Sequence, residues 1–207
     1  HFTPLNPWLD ESIDKVNAYF DWLGGNLRDS EEFVNVAVLH PIRSAYFTYQ
    51  HGKPSSTEEL DNALLGLANR LAEDQIGFHF LDETLLKKYG FVEGHKIGCG
   101  KCSYEYLILP KLYTMDKETE SFLRAFIKGG GKVYLADEKP KYLEGKPYGY
   151  DYLESNVSWD DLRLAQPYRL ETDGGVLYST YRKSETGDFI VVLNISDTDT
   201  INARLSV

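Results

Sequence analysis

The sequence predicts an α/β fold: a small doubly wound parallel sheet followed by antiparallel strands. Three observations carry that expectation. Short, nearly continuous apolar runs at 34–39, 78–81, 106–109 and 133–135 have the texture of strands buried on both faces. Helical patterns lie between the first and second of these runs and between the third and fourth, as crossovers joining parallel strands require. Beyond Pro140 the pattern changes to Tyr- and Gly-rich sequence and then to strand-like runs at 175–181, 188–194 and 200–207.

The chain opens with helical spacing over 6–28. Pro7 precedes it, Asp10 is placed to cap it, and Ile13, Val16, Tyr19 or Phe20, and Leu23 repeat on one face. Gly24-Gly25 should stop or loosen this helix. Its apolar stripe has nothing before it to pack against, so it reads as the tail of a larger unit. The first strand, 34–39, ends at His40-Pro41. A long polar connection follows, and Ser56-Thr57-Glu58-Glu59 has the capping-box pattern of a helix start. Leu60, Leu64, Leu67 and Leu71 then share one helical face. Residues 77–81 form the second strand, with Asp82-Glu83 at its carboxyl end.

Tyr106 to Leu109 is the third strand, closed by Pro110. Thr114 and Asp116 lead into a helix that buries Phe122, Leu123, Phe126 and Ile127, with Thr114 expected to cap it. Gly129-Gly130-Gly131 stops that helix where positive φ angles are cheap, and 132–136 is the fourth strand. Right-handed crossovers then place the first strand centrally, between the second and third, with the fourth outside the third: a flavodoxin-like order. After a linker to Tyr150 and helical turns near 158–162, three antiparallel strands bury one face poorly and are expected to open a β-sandwich that is cut short. The domain reading is 1–32, a helical lead-in from a preceding domain; 33–145, the α/β domain; and 146–207, a linker and partial β-sandwich.

With 207 residues, there is room for one α/β domain or a domain plus part of a second. The 42% hydrophobic and 26% charged residues are an ordinary globular mixture. A net charge of −10 repels phosphate backbones, and no local basic patch offsets it, so nucleic acid is not an expected partner. No apolar run approaches the roughly 18–20 residues that span a bilayer, so a membrane is not expected either. The chain begins at His1 rather than Met, which leaves its own N-terminus and its compartment, cytoplasmic or secreted, open.

The motifs are weaker than the pattern. Cys99-Gly100-Lys101-Cys102 has C-x-x-C spacing, but zinc needs two more ligands and only His95 is near in sequence. A redox pair should open a helix, whereas Ser103-Tyr104-Glu105-Tyr106 leads into a strand. The same stretch misses the phosphate-loop pattern at Gly94 and at Cys102, and no helix follows. The turn after Leu109, Pro110-Lys111-Leu112-Tyr113-Thr114-Met115, is where a nucleophile elbow would lie, and it carries neither Cys, Ser nor Gly. Asp82-Glu83 and Asp137-Glu138 each follow a strand at the ligand-binding edge of such sheets; capping or solvated loop charge is the plainer reading. His40 and Arg43 offer an imidazole and a guanidinium for a small anion or a partner, against the plainer reading of a structural salt bridge. His79 reads as a packed, hydrogen-bonded core residue, His51 and His95 as loop residues. The candidate ligand or interface residues are therefore His40, Arg43, Asp82 and Glu83. No catalytic residue, metal ligand or cofactor is assigned.

Val36-Ala37-Val38-Leu39-His40-Pro41-Ile42-Arg43-Ser44, Gly77-Phe78-His79-Phe80-Leu81-Asp82-Glu83, Tyr106-Leu107-Ile108-Leu109-Pro110 and Gly129-Gly130-Gly131-Lys132-Val133 resemble, across roughly 33–140, the class I amidotransferase-like domain inserted in large bacterial glycoside hydrolases. The α-L-rhamnosidase-type enzymes carry it, and the trimerisation domain of some β-galactosidases is related. The resemblance implies a catalytic barrel before this domain and β-sandwich domains after it in the same parent chain, with homo-oligomerisation open. True amidotransferases place a Cys nucleophile on the elbow after the third strand. In the resembling hydrolases that elbow is empty and the acid/base carboxylates lie in the barrel. The expected role is thus a non-catalytic accessory domain. Two other readings stand beside it: an independent hydrolase using Asp82, Glu83 or His40, and a carbohydrate-binding module using exposed Tyr and Trp.

Overall fold

The computed structural model describes residues 7–207, with side chains from Ser12 onward except that of Pro54. The helix opening expected at Asn6 lies outside the described residues, as does the side chain of Asp10. In chain order the elements are α1 (Pro7–Arg28), β1 (Ser30–Glu32), β2 (Val36–Leu39), α2 (Ile42–Thr48), α3 (Glu58–Glu73), β3 (Phe78–Leu81) and α4 (Glu83–Tyr89). Then come β4 (Gly90–Glu93), β5 (Lys96–Cys99), β6 (Cys102–Tyr104), β7 (Tyr106–Leu109), β8 (Thr114–Met115), α5 (Lys117–Lys128) and β9 (Lys132–Leu135). The chain continues through β10 (Tyr142–Leu143), β11 (Lys146–Pro147), α6 (Trp159–Leu164), β12 (Arg169–Thr172), β13 (Leu177–Ser184), β14 (Phe189–Asn194) and β15 (Ala203–Ser206). Two compact units result: described residues up to Phe33 with Thr180–Val191, and Val34–Ser179 with Val192–Val207.

In the smaller unit β1 pairs antiparallel with β13, from Ser30 opposite Ser184 to Glu32 opposite Arg182. Arg182 closes the end of α1: its Nε donates to Ser30 Oγ at 2.7 Å, and its Nη2 donates to the carbonyls of Ser30 and Leu27 at 2.9 and 3.3 Å. A cation at these orphan carbonyls is favourable. The helix runs through Gly24-Gly25 without stopping, since each mid-helix glycine costs only about 1 kcal/mol. Asp10 falls inside α1 rather than ahead of it, so it does not occupy the cap position expected of it.

The larger unit is built on a four-stranded sheet in the order β3-β2-β7-β9, every pair parallel. This is the order expected from the apolar runs. One face packs Ala37, Leu39, Leu107, Leu109 and Val133 against Leu86 of α4 and Leu123 and Phe126 of α5. The other face packs Val36, Val38, Tyr106 and Ile108 against Leu67 and Leu71 of α3 and Leu162 of α6. Residue parity along each strand decides which face a side chain serves. In the central strands β2 and β7 both faces are covered, so the alternation reads in sequence as one continuous apolar run.

Several elements depart from expectation. The polar connection after Pro41 holds α2. Thr57 is the N-cap of α3 but makes no side-chain cap bond; a complete capping box appears instead at Ser158 and Asp161 of α6. Thr114 does not cap α5. It is buried in β8, its Oγ1 accepts from the Gly145 amide at 3.1 Å, and Asp116 takes the N-cap position. Segment 90–104 forms an antiparallel meander, β4-β5-β6, that buries Ile97 and Tyr104. The three strand-like runs near the end are divided between sheets: β13 and β14 share one with β1, while β15 pairs with β12.

Candidate functional site

The carboxyl ends of β3, β2, β7 and β9 share one edge of the parallel sheet, the edge where open α/β sheets bind ligands. The turn after β7 is where the sequence expectation puts a nucleophile elbow, and Ser44 of α2 fills it from the side. Ser44 is fully buried. Its Oγ accepts hydrogen bonds from the amides of Tyr113 at 2.9 Å and Thr114 at 3.1 Å, and donates to the Thr114 carbonyl at 2.8 Å. Backbone amides at such a turn are the donors an oxyanion hole would need. Here both are committed to a side chain of the same chain. The turn is also tied outward to the first turn of α3: Lys111 Nζ lies 2.8 Å from Glu59 Oε1, and Tyr113 Oη donates to Glu59 Oε2 at 2.8 Å.

Beside this turn the structure brings Arg43 and Glu83 to one place, around a third residue that sequence reasoning placed only at a helix start. Asp116 pairs with Arg43 Nε at 2.9 Å, and its amide donates to Glu83 Oε2 at 2.8 Å. Glu83 is not the capping or solvated charge expected: its side chain is wholly buried. Among the described residues no hydrogen bond of good geometry reaches Glu83 Oε1 or Thr119 Oγ1, though the Thr119 hydroxyl stands close enough to the carboxyl to favour its charged form. Burial pushes the Glu83 carboxyl up to about 7; the Asp116 amide opposes this most, followed by Thr119, while the Asp116 charge adds to it and Arg43 offsets it.

The other expected residues do separate things. Asp82 caps α4, its Oδ1 accepting from Thr84 N at 2.8 Å and Leu85 N at 3.0 Å, so the plainer reading holds there. His40 presents its ring edge-on to Phe80 at 5.9 Å, and no hydrogen bond or ion pair ties it to the Arg43–Asp116–Glu83 cluster among the described residues. Asp137 accepts from the Glu138 amide and lies 3.5 Å from Lys111 Nζ, and Glu138 pairs with Lys141 at 3.3 Å. His79 is hydrogen-bonded as expected, Nδ1 to Tyr104 Oη at 3.0 Å. Cys99 and Cys102 face each other across the two-residue turn of the β5–β6 hairpin as free thiols. Burial, and then the nearness of Cys102 and Asp82, raises the Cys99 thiol, the opposite of an activated thiolate. Among the described residues no three His, Cys, Asp or Glu side chains are grouped to hold a metal ion, and no helix is long and apolar enough to cross a membrane.

Sequence reasoning missed Ser44 and Asp116 as the residues that organise this edge. Ser44 stood in a turn whose helix was not foreseen, and Asp116 lies 73 positions beyond its Arg43 partner, so no local spacing joins them.

No known protein family matches the chain, and no curated protein matches it. Among solved structures it is similar to a catalytic mutant of Gan42B, a GH42 beta-galactosidase from G. stearothermophilus, at 18% identity and a TM-score of 0.41, over 78% of this chain and 22% of that one. Gan42B itself is similar at 17% identity and a TM-score of 0.41. The chain spans 22% of the length of these structures.

Proposed function

We propose that the chain is a non-catalytic accessory domain of a multidomain carbohydrate-active enzyme, a glycoside hydrolase of the kind its strand-end motifs resemble. In this reading 33–145 is a flavodoxin-like, class I amidotransferase-like domain. Residues 1–32 lead in from a catalytic barrel, and 146–207 open a β-sandwich. Its work is structural: scaffolding, oligomerisation or shaping the rim of a neighbouring active site.

The observation that supports this most is Ser44 at the elbow. A hydrolase of this architecture needs a nucleophile on the turn, a base within about 3 Å and free donors facing the developing oxyanion. The two amides of that turn already have an acceptor, and the nearest hydroxyls, Ser44 and Thr114, are buried and bonded to backbone. The carboxylate route has little support either, because Asp82 is engaged as a cap and Glu83 has no exposed surface. The test is turnover of activated aryl glycosides and esters by the chain alone. None is expected, and turnover lost in the Asp82→Asn/Glu83→Gln double variant would overturn the reading.

A further inference from the structure

A cavity of about 290 Å3 opens between α3 and the carboxyl ends of β7 and β9, on the same edge of the sheet but on its other face from Glu83. Small residues make the room: Ala63 and Gly66 on α3, and Ala136 after β9. A Cβ added at Gly66 would meet nothing within 4 Å.

Its polar groups converge. Trp159 is fixed by its indole N–H, which donates to Asp74 Oδ2 at 2.7 Å, and by the ring of Tyr134 edge-on at 5.6 Å. The Arg70 guanidinium lies on the indole, its carbon 3.8 Å from the ring centroid. Stacking in this way leaves the N–H fork in the guanidinium plane free to bind an oxyanion in bidentate fashion. Asp74 is turned to Trp159 and to Arg163 at 3.6 Å, and among the described residues no carboxylate pairs with Arg70. Across the cavity Lys111 and Asp137 stand 3.5 Å apart, a donor beside an acceptor. Lys111 also pairs with Glu59 at 2.8 Å, so Arg70 is the cation of this lining that has no carboxylate partner among the described residues.

We propose that this cavity binds a monosaccharide-sized ligand carrying one oxyanion, a sugar acid or a sugar phosphate. The oxyanion sits on Arg70, the hydroxyls on the Lys111–Asp137 pair, and the ring against Tyr134 and Trp159. The volume is at the small end of ligand pockets and suits one ring rather than a chain. The site is independent of the accessory-domain reading.

The experiment is calorimetric titration of the full chain with glucuronate, glucose 6-phosphate, glucose and inorganic phosphate, with amide and indole shifts followed by NMR. Glucuronate or glucose 6-phosphate should bind one to one and move the Gly66 amide and Trp159 indole signals; which of them binds identifies carboxylate or phosphate as the source. Glucose and inorganic phosphate should each bind at least about tenfold more weakly. Arg70→Gln should weaken binding by at least about tenfold. Gly66→Leu, which fills the cavity with a better helix former, should abolish binding with no loss of thermal stability. No saturable binding of either sugar anion at millimolar concentration would overturn the proposal. So would inorganic phosphate binding as tightly as glucose 6-phosphate, or binding that survives Gly66→Leu.

Discussion

Burying a carboxylate disfavours its charged form, and Glu83 is buried with one oxygen bonded and one reached by no hydrogen bond of good geometry among the described residues. Its carboxyl titrates near 7 in the folded chain, against the ordinary 4.5. Between those values the folded state holds a proton that the unfolded state has released, so the contribution of Glu83 to stability is full below about pH 4.5 and is lost as pH rises through about 7. The loss is about 3 kcal/mol. Urea melts across that range should show the slope, and Glu83→Gln should flatten it; an equal slope in both proteins would place the titration elsewhere. Ser44→Ala leaves the Tyr113 and Thr114 amides without their acceptor, which should cost about 2–4 kcal/mol. A loss under about 0.5 kcal/mol, the range of an ordinary surface substitution, would mean that water replaces the hydroxyl there. Of the four residues singled out in sequence, Asp82 was legible because a cap is a local device, with donor and acceptor within three positions. Glu83 was not: its neighbour Asp116 arrives through a crossover, and adjacency to Asp82 made the pair look alike.

At the scale of elements, the edge strand β9 is covered by a loop rather than by a further strand. Asn156 Oδ1 accepts from Val133 N at 2.6 Å, its Nδ2 donates to the Gly131 carbonyl at 3.0 Å, and Ser155 Oγ accepts from Leu135 N at 2.8 Å. Covering an edge in this way satisfies groups that would otherwise template pairing with another chain. Asn156→Ala should lower stability by about 1–2 kcal/mol and speed amide exchange at Val133 before the rest of the sheet; unchanged exchange there would show that the bracket is dispensable. For the β5–β6 hairpin, replacing both Cys99 and Cys102 with Ser should leave the fold intact at a loss on the order of 1–3 kcal/mol at most. Stoichiometric zinc in the purified protein, absent from that variant, would contradict this. The central strands β2 and β7 were legible because burial on both faces writes an unbroken apolar run, and the half-buried edge strands β3 and β9 because their runs are short and largely apolar. The meander at 90–104 was not, since Gly98 lies against the Phe91 ring, where a Cβ would overlap it, and carries no side chain to mark the strand. Likewise β1 and β12 are short, largely polar runs that give no periodic signal, and each finds its partner far along the chain, at β13 and β15.

For the whole molecule, strand order followed from chirality and run length alone, while the pairing of the final strands followed from neither. The larger unit supplies a complete two-faced core, and the turn after β7 is held to α2 by Ser44. That closure is the centre of the account: at the sheet edge where open α/β sheets bind ligands, the two amides of the turn after β7 are taken up by the Ser44 hydroxyl. The most direct measurement is hydrolysis of activated aryl glycosides and aryl esters by the purified chain, run beside Ser44→Ala and the Asp82→Asn/Glu83→Gln double variant. The account predicts no turnover above the uncatalysed rate in any of the three. Turnover by the unaltered chain that either variant abolishes would contradict it.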